Sequence, residues 1–120
     1  MRTANILIVD DHEDSAEMMA ELLRREGHRV RTAWDAFRAL QLLEDEPATV
    51  VLLDIAMPGM DGYGLAREIK EKYGQSKLIA ISGFTGEQHR ERALKSGIDE
   101  TLTKPVKVER LLPVLDRLLA

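Results

Sequence analysis

Five side chains of this sequence could together handle a phosphoryl group, and each stands where an apolar run stops. Asp10 and Asp11 follow Ile6 to Val9, Asp54 follows Val50 to Leu53, Ser82 follows Leu78 to Ile81, and Lys104 follows Leu102 and Thr103. A carboxylate can attack phosphorus and form an acyl phosphate. Crowded carboxylates repel one another and either bind a proton or demand a cation. A few hard oxygen ligands suit Mg²⁺, with waters completing the shell; Mn²⁺ or another divalent cation could substitute. A cation there would spread the charge that develops on the phosphoryl oxygens. Lys104 offers a mobile positive charge for another of those oxygens, and the Ser82 hydroxyl offers a hydrogen bond.

Taken singly, each residue has an ordinary explanation. Asp10 or Asp11 could cap a helix, since Asp is a favoured N-cap. An aspartate ending a strand and a serine before Gly83 both read as turn residues. Lys104 before Pro105 reads as a solvated strand end. The conjunction is harder to dismiss, because every central strand end carries one part of a single phosphoryl-transfer site.

The elements that must position these residues alternate along the chain. Asn5 to Asp10, Thr49 to Asp54 and Lys77 to Ser82 are nearly continuous apolar runs, as in strands covered on both faces. His28 to Ala33 and Glu100 to Thr103 alternate polar and apolar residues, which suits sheet edges. Between them fall helical patterns. Ala16, Met19, Ala20 and Leu23 share one face before a stop at Gly27, and Ala36, Ala39, Leu40 and Leu43 repeat the spacing. A third helix is expected from about Gly64 to Tyr73, and a fourth near Glu87 to Ser96 with little beyond Ala93 and Leu94 as core contacts. The last, Val108 to Leu119, carries a full stripe of Val108, Leu111, Leu112, Leu115 and Leu119. Gly64 weakens the third helix by roughly 1 kcal/mol relative to alanine. Pro113 predicts a kink or a late start in the last helix.

Five strands alternating with five helices predict an α/β, doubly wound parallel sheet with helices on both faces, in the order 2-1-3-4-5. Ligands in such sheets bind beyond the carboxyl ends of the strands. Asp10, Asp11, Asp54, Ser82 and Lys104 should therefore converge on one rim. Met57-Pro58-Gly59-Met60-Asp61-Gly62 reads as a structured turn after Asp54, able to aim a backbone carbonyl near Ala56 at the metal.

Composition narrows the class. The 120 residues carry 44% hydrophobic and 32% charged side chains, which fits one soluble globular domain. A net charge of -4 speaks against direct nucleic-acid binding. With no cysteine there is no disulfide framework, thiol nucleophile or thiolate metal site. No segment resembles a targeting or membrane sequence, so no membrane partner and a cytoplasmic location are expected. His12, His28 and His89 show no ligand or triad spacing and read as solvated or capping residues, while Trp34 and Phe37 read as packing residues around the second helix.

The chain resembles the response-regulator receiver domains of two-component signalling over its whole length, residues 1–120. The resemblance rests on Ile6-Leu7-Ile8-Val9-Asp10-Asp11, Val51-Leu52-Leu53-Asp54, Met57 to Gly62, Ser82, Ala93 to Gly97 and Leu102-Thr103-Lys104-Pro105. It implies a flavodoxin-like fold and a switch that catalyses its own phosphorylation at Asp54 and its slow loss. The donor would be a phosphohistidine on a sensor histidine kinase or a histidine phosphotransfer protein. It further implies Mg²⁺ held by Asp11, Asp54 and the Ala56 carbonyl, with Asp10 acting mainly through water. Ser82 and Lys104 would be the switch hydroxyl and the phosphate-sensing lysine, with a cis Lys104-Pro105 bond.

Two departures carry consequences. Thr101 occupies a position where the family commonly has an aromatic residue, so an aromatic rotamer flip is not available and a signal would pass through Ser82, its loop and the fourth helix. Ala56 and Phe84 occupy the positions that tune acyl-phosphate hydrolysis in the family. Neither can orient water, which predicts a persistent phosphorylated state. The family's output surface would here carry Arg90, Arg92, Lys95, Lys107 and Arg110, and phosphorylation-dependent homodimerisation is compatible with it. Val51 to Gly62 and Lys104-Pro105-Val106 are similar to receivers attached to hybrid histidine kinases; the chain is read as a stand-alone regulator or a module of something longer.

Two alternatives compete. An aspartyl-phosphate-type metal-dependent phosphatase needs a second acid for the leaving group and a larger cap. A flavodoxin-like binding module that is never phosphorylated would present a Gly/Ser/Thr-rich loop after the first strand. Here that loop is Asp10-Asp11-His12-Glu13-Asp14, which repels phosphate unless a cation intervenes.

Overall fold

Ile6, Leu7, Ile8 and Val9 are all buried, yet they serve two different cores. Ile6 and Ile8 pack in one apolar cluster, Leu7 and Val9 in the other. The same alternation holds for Val50 and Leu52 against Val51 and Leu53, and for Ile79 against Leu78 and Ala80. A pleated strand points successive side chains to opposite faces, so a run buried throughout requires cover on both. The helices supply that cover. The computed structural model describes residues 3–57, 61–83 and 86–120.

The elements are β1 (Asn5–Val9), α1 (Glu13–Arg25), β2 (Arg29–Ala33), α2 (Ala36–Asp45), β3 (Val50–Asp54), α3 (Gly62–Lys72), β4 (Lys77–Ser82), α4 (Glu87–Lys95), β5 (Glu100–Thr103) and α5 (Val108–Leu119). All strand pairs are parallel, in the order β2-β1-β3-β4-β5. That is the doubly wound, flavodoxin-like arrangement expected from the pattern. Ala16, Ala20 and Leu23 of α1 pack with Leu111 and Leu115 of α5 on one face. Ala39 and Leu43 of α2, Ala66 and Ile69 of α3, and Ala93 of α4 cover the other. Among the described residues no helix is long and apolar enough to cross a membrane.

Several details depart from expectation. β1, β2 and β3 are each one residue shorter, and α3 begins at Gly62, with the Asp61 carboxylate accepting a hydrogen bond from the Tyr63 N–H as its cap. α5 starts at Val108 with Pro113 inside it, so of the expected kink or late start the late start does not occur. Trp34 and Phe37 are not packing residues: they are 50% and 72% exposed. Leu94 is likewise exposed, leaving Ala93 as the buried residue of α4. His28 is buried rather than solvated, its Nδ1 accepting from the Ala4 N–H at 3.1 Å.

Candidate functional site

The buried centres of β1, β3 and β4 hold their last residues at one rim. Leu52 and Leu53 are fully buried, and truncating such a side chain to alanine costs about 2–5 kcal/mol. The strand therefore fixes Asp54, its final residue, which is itself only 2% exposed. Asp54 Oδ1 accepts from the Ala56 N–H at 3.0 Å, and Oδ2 accepts from Lys104 Nζ at 2.7 Å. Lys104 is placed by the sheet: β5 pairs with β4, and the Lys104 N–H donates to the Ser82 carbonyl at 2.8 Å. Ser82 ends β4 and is buried. The Lys104-Pro105 bond is cis.

Across the rim, the Asp10 N–H donates to the Ala33 carbonyl and ties the end of β1 to β2. Neither aspartate caps α1. Asp10 Oδ1 instead accepts from the His12 N–H at 2.9 Å, and His12 is the N-cap residue without a side-chain capping bond. Asp11 Oδ1 is shielded from solvent and has no hydrogen-bond partner; His12 Nδ1 lies 3.2 Å away, outside hydrogen-bond geometry. An acceptor without a partner is costly to leave so. A bound cation would satisfy it.

Asp10, Asp11, His12 and Asp54 each offer one ligand atom, all within 4.8 Å of one another. Three carboxylates and an imidazole at that separation fit a divalent cation. The three acids are those expected from the sequence. His12 was not expected there: its local signal was only that it follows Asp10-Asp11 directly. Ala56 is exposed, and Pro58 to Met60 and Phe84 lie outside the described residues.

A second arrangement links the rim to α4. The Tyr63 hydroxyl of α3 is hydrogen-bonded to His89 Nδ1 of α4. The Arg92 guanidinium lies 4.4 Å from the Tyr63 ring centroid and 3.8 Å from Asp61 Oδ1. Burial pushes the Tyr63 phenol pKa up; Arg92 pulls it down and Asp61 raises it further.

A five-stranded parallel sheet of this order, with an acidic cluster and a lysine at its carboxyl rim, defines a flavodoxin-like fold with a candidate phosphoryl-transfer site. The chain belongs to the response regulator receiver domain family, whose model matches residues 6–116. It is 34% identical over 119 residues to an NtrX-like response regulator of Rickettsia bellii, covering 98% of this chain and 25% of that one. It is 34% identical over 110 residues to the sensor histidine kinase RcsC of Salmonella typhi, covering 92% of this chain and 12% of that one. The chain thus spans a small part of these two relatives. The receiver domain of NtrX from Brucella abortus superposes with a TM-score of 0.87 at 37% identity, covering 96% of this chain and 98% of that one. The chain is a phosphoacceptor receiver domain of two-component signalling.

Proposed function

We propose that Asp54 is the phosphoacceptor and that the chain catalyses its own labelling from a phosphohistidine donor. The observation that carries this reading is the buried Asp54 carboxylate held 2.7 Å from Lys104 Nζ beside the acidic pair Asp10-Asp11. Asp10, Asp11, Asp54 and the Ala56 carbonyl would hold Mg²⁺, which when bound offsets negative charge on the phosphoryl oxygens. An Asp54 carboxylate oxygen attacks phosphorus, the N–P bond to the donor imidazole breaks, and the imidazole leaves with the bonding pair. Lys104 then exchanges its Asp54 contact for a phosphoryl oxygen, and the Ser82 hydroxyl donates to another.

The product replaces one carboxylate charge by about -1.5 to -2 and adds acceptor oxygens. Among the described residues, Lys104, bonded to Asp54, and Ser82, at the end of the adjacent strand, are placed to respond. α4 has few apolar anchors, since Ala93 is its buried residue and Leu94 faces solvent. Arg90, Arg92, Lys95, Lys107 and Arg110 are all exposed, which supports an output surface there, for a downstream protein or a second receiver.

The donor would be a histidine kinase or histidine phosphotransfer protein in the cytoplasm. A large groove beside the rim, lined by Met18, Met19, Leu22, Pro105, Val106 and Val108, supports docking of such a protein next to Asp54. A long-lived acyl phosphate is expected, because Ala56 offers no side-chain group to orient water.

The test is incubation with acetyl phosphate, with and without Mg²⁺, read by intact mass. One phosphoryl group should appear on the wild type only with the cation, and none on Asp54→Ala. Labelling of Asp54→Ala to the same extent, or continuous turnover of the ester without a labelled protein, would refute the assignment.

A further inference from the structure

The acidic rim differs from an all-oxygen site in one respect: an imidazole lies within ligand distance of it. His12 Nδ1 is 3.3 Å from Asp10 Oδ1 and 3.2 Å from Asp11 Oδ1. Adjacent ligands on an octahedral ion with bonds of about 2.1 Å stand about 3.0 Å apart. The two His12 separations therefore need only a few tenths of an ångström of contraction to become edges of one coordination shell. Asp54 completes the group, all four atoms lying within 4.8 Å, close to the span of opposite ligands.

Local hydrogen bonds hold His12 beside the pair, its ring Nδ1 also bonded to Asp10 Oδ1. Its N–H is bonded to Asp10 Oδ1, and although it occupies the N-cap of α1 its side chain makes no capping bond. The ring is 70% exposed and so pays little to turn toward an ion. The neighbouring Asp11 Oδ1, shielded from solvent and without a hydrogen-bond partner, is a second group here that a cation would satisfy.

We propose that His12 is a nitrogen ligand of the cation bound at the receiver's acidic rim, and that it shifts the site's preference from Mg²⁺ toward nitrogen-seeking transition metals such as Ni²⁺ or Zn²⁺. Imidazole suits those ions, whereas Mg²⁺ takes oxygen and gains little from it. The inference rests on the acidic rim binding a divalent cation, as proposed above, and adds a residue that sets which cation. A receiver with this site would be loaded differently where transition metals are plentiful.

Untagged protein is titrated with Ni²⁺ alone and with Mg²⁺ alone by calorimetry, with fluorescence of Trp34, which lines the same acidic hollow as Asp11 and His12, as a second readout. In His12→Ala the Ni²⁺ affinity should fall roughly ten- to hundredfold, while Mg²⁺ affinity changes by less than about threefold. Excess Mg²⁺ should weaken Ni²⁺ binding to the wild type, placing both ions at one site. Spin-echo spectra of the Mn²⁺-loaded wild type should show nitrogen modulation that His12→Ala lacks. Equal losses for Ni²⁺ and Mg²⁺, no loss for either, or nitrogen modulation that survives in His12→Ala would overturn the assignment. Asp11→Asn separates the two layers: if it leaves Mg²⁺ affinity unchanged, the acidic-rim reading fails, whatever the His12 variant shows.

Discussion

Lys104 Nζ and Asp54 Oδ2 stand 2.7 Å apart although their strands are not neighbours, because β4 lies between β3 and β5. The pair is asymmetric. Asp54 is 2% exposed and the Lys104 side chain 39%, so the carboxylate depends on the ammonium more than the reverse. Lys104→Met should therefore destabilise the domain by about 1–3 kcal/mol, the cost of stranding a buried acceptor. Asp54→Ala should cost less, since Lys104 can turn to solvent and repulsion with Asp10 and Asp11 is relieved. Urea midpoints at neutral pH without divalent ions check the order; equal or reversed losses would contradict this account of the pair.

Acid crowding makes a second prediction. Three carboxylates and an acceptor without a hydrogen bond at Asp11 are tolerated in the free protein at some cost in stability. Mg²⁺ at a hundred times its dissociation constant should then stabilise the fold by about 2.7 kcal/mol. The gain should vanish in Asp11→Ala and be reversed by EDTA. A melting temperature that responds equally to NaCl at matched ionic strength would mean simple screening rather than a site.

The glycines beside the rim can be told apart. A Cβ on Gly62 would stand 2.8 Å from Ile55 Cα and 2.9 Å from Ile55 O, both backbone atoms of the residue after Asp54. A Cβ on Gly64 would meet only the Asp61 side chain, Oδ2 at 3.2 Å, the carboxylate oxygen that does not accept the capping bond and can give by a few tenths of an ångström. Gly62→Ala should cost about 1–3 kcal/mol and slow labelling by acetyl phosphate, because relief must come from the Asp54 segment. Gly64→Ala should be neutral or stabilise by up to about 1 kcal/mol through helix propensity. Denaturation and labelling rates of the two variants side by side decide it.

The sheet order and the convergence of Asp10, Asp11, Asp54, Ser82 and Lys104 were legible because strands buried on both faces leave an unmistakable apolar run, and their ends must share a rim. What escaped was governed by side-chain contacts that periodicity does not encode. Trp34 and Phe37 are aromatic and so read as core, but they fall beside the exposed start of α2. Leu94 sits one residue after the buried Ala93 and turns outward. His12 and His89 lacked a spacing signal because their partners, Asp10 and Tyr63, reach them through local folding and through packing between helices. α3 starts early because Asp61 caps it, a role hidden within the turn motif.

Tyr63 supports a prediction about alkaline pH. Its hydroxyl bonds His89, Arg92 lies over its ring, and Asp61 is nearby. Burial, the largest influence, raises the phenol pKa in the folded state, outweighing Arg92. The unfolded chain then releases the phenolic proton at lower pH than the native one does. Between the two pKa values the unfolded state binds fewer protons, so stability falls as pH rises through that interval, above about pH 10. Below it the contribution is fully present. At pH 8, Tyr63→Phe should be less stable than wild type by about 1 kcal/mol, the worth of the lost hydrogen bond to His89. Near pH 11 the gap should narrow, because only the wild type carries a phenol whose ionisation opposes folding; lysines titrating in the same range affect both proteins alike. Urea unfolding of the two proteins at both pH values measures the gap directly. A difference that stays constant or widens would mean that the α3–α4 contact does not hold the phenol in its neutral form.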